Sequence, residues 1–215
     1  MALSGRQIER YSRQIIVPGF GGIAQERLLT ATVNLAGELA DINPALEYLV
    51  GAGVGAIVMV TADAIADHAI VEDMGHLNPD SRVAVGLDAV DRHGLNLIFI
   101  GGSGAIELAR RLLIDAPGCR TILARLDSPA SIAALDGSPC VLCAEIDLLR
   151  EFGMGCENPG YLTMIAAAQA LLTIAQTGSP ENPSMLTFDG YASQRIPLRR
   201  RADIARCGCE RARSE

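Results

Sequence analysis

Residues 31–60 read ATVNLAGELADINPALEYLVGAGVGAIVMV, and this stretch decides the fold class. Ala31 to Leu35 is a short apolar run that suits a buried strand. From Pro44 to Val50 the spacing predicts a helix, with proline in its first turn where a missing N–H costs little. Gly51 to Gly55 breaks that helix, and Ala56 to Val60 is a second buried strand. Strand, helix and strand in this order predict a parallel βαβ unit and an α/β fold.

The pattern continues outward on both sides. Upstream, residues 1–30 predict an N-terminal arm of two helices around a turn at Pro18 to Gly22. Downstream, periodicity is weak from Asp63 until Arg82 to Val85. Asn96 to Ile100 then predicts a third strand, Ala105 to Ile114 a helix and Thr121 to Ala124 a fourth strand. A Ser/Pro/Gly-bearing loop follows to Pro139. Tyr161 to Ala175 predicts an apolar helix, and Ser184 to Phe188 with Arg195 to Leu198 an antiparallel pair. The expectation is a doubly wound, mostly parallel, Rossmann-like sheet with antiparallel strands at its C-terminal end. The organisation reads as one domain over 1–215: an arm (1–30), a core (31–139) and a cysteine-bearing part (140–215).

Composition narrows the function classes. The 215 residues are 49% hydrophobic, enough for one substantial core, and carry a formal charge of −7. That charge argues against a nucleic-acid surface, since the run Arg199 to Arg201 is local. No stretch has the ~18 apolar residues of a membrane span, and no apolar segment follows a basic start, so a cytoplasmic location is expected. All 18 basic residues are arginine. Six cysteines in such a chain suggest thiols, metal ligands or redox groups before disulfides.

Arg10-Tyr-Ser-Arg13-Gln-Ile-Ile-Val-Pro-Gly-Phe-Gly-Gly22, Gln25 to Leu29 and Pro44 to Gly55 resemble the opening of the ThiF/MoeB/HesA family, which activates sulfur-carrier and ubiquitin-like proteins. Leu77-Asn-Pro-Asp-Ser-Arg-Val83, Cys140-Val-Leu-Cys143, Gln169-Ala-Leu and Phe188-Asp189 follow in the family's order. The resemblance implies an ATP and magnesium site built on a glycine turn after the first strand. The family's three glycines fall on Gly37, Leu39 and Ile42, with Asp41 adding negative charge. Of its two ribose acids, the first falls on Thr61 and the second on Asp63. Its Asn-Leu-x-Arg-Gln string and catalytic lysine read as deleted between Asp63 and Leu77. Its metal-binding aspartate falls near Ala105, with Arg110 kept. Electrostatic stabilisation of a departing pyrophosphate needs such cations. The resemblance therefore implies a degenerate adenylation centre and a binding or scaffold role. An active adenylyltransferase is the alternative, and a Rossmann-type oxidoreductase is a third class that lacks its fingerprint.

Arg13 matches the arginine that, in dimeric members, reaches into the partner's nucleotide site, which implies a homodimer. A plain surface arginine is the competing reading. Gly51 to Gly55 follows a helix and precedes a strand, so it reads as a turn rather than a phosphate loop. Gly101 to Gly104 has the strand, loop, helix order that can cradle an anion, although a glycine turn alone explains it. Cys140 and Cys143, with Cys207 and Cys209, occupy the places of the family's four-thiolate zinc site, a structural staple. Free or redox thiols remain open. Cys156 lies near a family cysteine that serves in sulfur transfer or linkage to the carrier, with a structural thiol as the alternative. Cys119 reads as part of a turn, and His68, His76 and His93 lack metal-ligand spacing.

Overall fold

A computed structural model describes residues 2–62, 64–136, 139–144, 146–151, 153–156, 159–176, 183–188 and 193–202. The arm forms α1 (Gly5–Arg10), α2 (Ser12–Ile15) and α3 (Gly21–Thr30). Ser4 opens α1 with a reciprocal capping box to Gln7. The first predicted helix breaks at Tyr11, which is 1% exposed and turned inward.

The core begins with β1 (Thr32–Ala36), α4 (Leu39–Ala52) and β2 (Ala56–Val60). Pro44 therefore lies inside α4 rather than in its first turn, because the helix starts five residues earlier than Pro44 suggested. Helix α4 stops at Gly53, whose φ of 86° places it in the left-handed region. The chain continues as α5 (Ala64–Leu77), β3 (Arg82–Val85), β4 (Leu95–Ile100), α6 (Ser103–Asp115) and β5 (Arg120–Arg125). Next come β6 (Ala130–Leu135), α7 (Pro159–Ala175), β7 (Ser184–Phe188) and β8 (Ser193–Pro197).

Two elements correct the sequence reading. Helix α5 occupies the stretch where no period was visible: its apolar and charged residues do not segregate cleanly, and packing against β3 and α4 holds it. Strand β6 replaces the predicted loop, since antiparallel partners on both sides, β5 and β7, override the Ser/Pro content around it.

All eight strands form one sheet in the order β3-β2-β1-β4-β5-β6-β7-β8. The first five pair in parallel, and β5 to β8 pair antiparallel. Alternate residues feed two cores. Leu35, Leu97, Phe99 and Ile122 pack under α4 and α7 on one face, and Ile98, Ile100 and Leu123 under α6 on the other. On the α6 face a polar row interrupts the apolar layer. Asn34 pairs in register with Asn96, and Asn96 with Thr121. The Asn34 amide donates to Asn96 Oδ1 at 2.9 Å and the Asp91 carbonyl at 2.8 Å, while Asn96 donates to the Ala116 carbonyl at 3.1 Å.

Candidate functional site

In this strand order the topological switch lies between β1 and β4, whose following helices leave on opposite faces of the sheet. Ligands of doubly wound sheets bind there, outside the carboxyl ends of the strands. Gly37 closes β1 at φ 156°, and a Cβ on it would meet Ile42 Cγ2 at 2.7 Å and the Phe99 carbonyl oxygen at 3.0 Å. Ile42 is fully buried, and Leu39 packs partly buried against the core. Both side chains are structural in α4.

Two carboxylates stand in the crevice itself. Glu38 is the N-cap of α4, and Asp41 lies in its first turn. The Asp41 carboxylate sits against Gly101 at the end of β4, and Glu38 Oε1 against Gly102, the N-cap of α6. Burial, followed by the like charge of Glu38, raises the Asp41 pKa.

Of the other expected nucleotide-site residues, Thr61 follows β2, Ala105 is fully buried in α6, and Arg110 is exposed midway along that helix. Helix α5 contains neither arginine nor lysine. Asp63 lies outside the described residues. Arg13 is exposed on α2 and lines a groove of about 590 Å³ with Val17, Phe20, Glu47, Tyr48 and Leu172. That groove lies beside the C-terminal half of α4, so within one chain Arg13 and Gly37 belong to opposite ends of the helix. A larger cavity of about 1030 Å³, including Arg92, His93, Asp115 and Arg120, opens at the amino ends of β1, β4 and β5, away from the crevice.

Cys140 and Cys143 lie on a tight turn closed by bonds from the Cys143 and Ala144 amides to the Cys140 carbonyl. Their sulfurs are 3.7 Å apart, and Cys143 is fully buried. Zn–S bonds of ~2.3 Å in a tetrahedron separate two sulfurs by about 3.8 Å, so this pair has the spacing of one edge of a zinc site. The Arg201 amide donates to the Cys143 carbonyl at 2.9 Å, which brings the chain that leads to Cys207 and Cys209 beside the pair. Those two cysteines lie outside the described residues. Cys156 is half-buried, its amide bonded to the Leu126 carbonyl at 2.8 Å. The buried Cys119 thiol donates to the Arg92 carbonyl at 3.0 Å, and burial, then the charge of Asp91, pushes its pKa up to about 11. It is a closed thiol at a turn, as the sequence suggested.

Two distant strings of the sequence meet at Tyr11. Its hydroxyl donates to Asp80 Oδ2 at 3.0 Å and receives the Asn78 amide at 3.0 Å, while that amide also reaches the Val50 carbonyl at 2.7 Å. The ring lies over Gly53, where a Cβ would come within 2.6 Å of it. The arm, the end of α4 and the Asn78 turn are thus one clasp.

Curated relatives match this chain at low identity over most of its length. The vegetative HesA protein of Trichormus variabilis is 28% identical over 87% of this chain and 83% of its own length. The SAMP-activating enzyme E1 of Haloferax volcanii is 24% identical over 97% of this chain and 92% of its own. The adenylyltransferase and sulfurtransferase MOCS3 of Mus musculus is 27% identical over 96% of this chain, which spans 54% of that longer protein. These relatives, each below 30% identical, indicate the ThiF/MoeB/HesA family. The fold of E. coli MccB, solved with ATP, superposes with a TM-score of 0.69 at 15% identity, covering 93% of this chain and 73% of MccB. No family model matches the chain.

What fills the crevice of this chain is a pair of its own carboxylates, Glu38 and Asp41. Sequence reading placed Asp41 there but missed Glu38, whose role appears only when α6 is brought alongside. It also missed a buried charge cluster at the end of β5. Arg125, 1% exposed, forms a bidentate pair with Asp127, 0% exposed, at 3.0 and 2.7 Å. Arg125 further donates to the carbonyls of Leu148, Arg150 and Glu151, while Arg150 and the Gly153 amide both reach Asp127 Oδ2. Burial opposes ionisation of Asp127, but the hydrogen bonds of Arg125 and Gly153 and the charges of Arg125 and Arg150 outweigh it and hold the pKa low. An arginine and an aspartate two apart at the end of an apolar strand were the available signal. The cluster fastens the segment that leads to Cys156 over the carboxyl ends of the sheet.

Proposed function

We propose that this chain is a non-catalytic member of its family, a binding or scaffold partner in ubiquitin-like and sulfur-carrier protein chemistry. The observation that carries this reading is the buried Ala105 at the position of the expected metal-binding acid. Helix α5, with no arginine or lysine, and the side chains of Leu39 and Ile42 support it. Cations placed on a transferring phosphoryl group contribute as much as 10³–10⁵ in rate, and the described residues around this crevice do not supply them. The crevice as built does not fit ATP and magnesium.

In this reading the chain acts as one cytoplasmic domain over 1–215. Zinc bound by Cys140 and Cys143 together with Cys207 and Cys209 staples the C-terminal segment to the sheet, a structural and not a catalytic task. Cys207 is six residues beyond Arg201, and six residues reach up to ~20 Å, ample to return to the Cys143 turn. Zinc content should fall in Cys140→Ser relative to wild type, and equal content in both would remove the zinc site. The apolar groove that carries Arg13 receives a second copy of the chain, and sedimentation of wild type against Arg13→Glu tests that contact. An unchanged monomer in both would remove it.

The second reading, an active ATP-dependent adenylyltransferase acting on the C-terminus of a carrier protein, is favoured by the retained Gly37 and by the names of the curated relatives. Calorimetry with ATP and magnesium separates the two. Silence is expected, and micromolar binding, or exchange of pyrophosphate into ATP with a carrier protein present, would establish the second reading.

A further inference from the structure

Helices α4 and α6 lie on opposite faces of the sheet, yet both point their N-termini into the crevice between β1 and β4. They run 14 and 13 residues, long enough for a full terminal dipole. Such a paired terminus, bordered by glycines, is a receptor for phosphate-like anions. Here the receptor meets carboxylates of its own chain. Glu38 leaves the first helix at its N-cap and lies against Gly102, the cap of the second. Asp41 lies against Gly101, so the bare Cα atoms of both glycines make room for the two acid groups.

We propose that Glu38 and Asp41 form an acid plug, a built-in anion that occupies the switch-point crevice and excludes diphosphate-type ligands from it. The idea rests on the non-catalytic reading and deepens it: the crevice is closed by an occupant, not merely stripped of cations. Two like charges held this close repel, and the two helix termini offset that repulsion; burial first, and then the charge of Glu38, raises the Asp41 pKa. Removing the occupant leaves two open helix termini facing one vacated space.

The test is calorimetric titration of the full chain with inorganic pyrophosphate and, separately, with ATP and magnesium. Three proteins are compared: wild type, Glu38→Ser/Asp41→Ser, and the nearly isosteric Glu38→Gln/Asp41→Asn. Serine at position 38 can also cap α4, which protects the fold. Wild type should be silent, and the serine variant should bind pyrophosphate at least tenfold more tightly. A smaller gain in the amide variant would divide charge from volume. If neither variant binds pyrophosphate, the plug is wrong while the non-catalytic reading stands. ATP binding by wild type as tight as by the variants would overturn both.

Discussion

Replacing Asp127 by alanine removes both acceptors of the bidentate pair, together with the anchor of Arg150 and the Gly153 amide. Arg125 stays behind at 1% exposure, its charge uncompensated and its remaining bonds all to neutral carbonyls. Breaking a buried pair in this way costs about 3–5 kcal/mol. With a urea m-value of ~2 kcal/mol/M, the unfolding midpoint followed by far-UV circular dichroism should drop by about 2 M. Arg125→Met/Asp127→Leu, which removes both charges, should unfold at higher urea than Asp127→Ala. The pH dependence has a defined sign. The folded pKa of Asp127 is depressed, so its contribution is whole above the unfolded value of ~3.9 and is lost as pH falls through the lower folded value. Wild type should therefore lose more stability than Asp127→Asn on acidification below about pH 4. A midpoint change under ~0.5 M for Asp127→Ala, or identical acid profiles, would refute the account of this cluster.

Two glycines two residues apart should respond in opposite directions. Gly53→Ala places a Cβ against the Tyr11 ring at a φ of 86° and should cost ~2–5 kcal/mol in thermal unfolding. Gly51→Ala meets open space within α4 and should be neutral or stabilising by about 0.5–1 kcal/mol. Burial, ahead of the effects of Asp80, raises the Tyr11 pKa to about 12 despite the opposing Asn78 bond. The ultraviolet difference titration of wild type against Tyr11→Phe should show its phenol ionising near pH 12. The stability contributed by this raised pKa is complete below the unfolded value of ~10 and is lost as pH rises toward 12.

The parallel half of the fold was legible because its strands are buried on both faces and read as continuous apolar runs, as in Ala56 to Val60 and Asn96 to Ile100. Helix α5 was hidden because its sequence does not divide into faces, and β6 because tertiary pairing, not propensity, makes Ala130 to Leu135 a strand. At the crevice, Gly37, Leu39, Asp41 and Ile42 were legible through the family resemblance, by counting its glycines back from Pro44. Glu38 was not, since its meaning comes from Gly102, far away in the chain and close only after β4 joins β1. The Arg125 cluster was missed for a similar reason: most of its acceptors lie on the segment around Leu148 to Glu151, and an alternating charge at a strand end does not announce a distant partner.

The Asn34, Asn96 and Thr121 row has a bearing on how the sheet finds its arrangement. Apolar strands are permissive, and Val33 to Ala36 could slide along Leu95 to Ile98 with similar hydrophobic contact. A slide by one residue would turn Asn34 and Asn96 into separate, unmatched amides in oily surroundings, at ~1–3 kcal/mol for each group left unpaired. The row thus works as a proofreading mark across three strands that are far apart in the chain. It adds little to the total stability of the correct sheet, but it makes neighbouring wrong sheets short-lived.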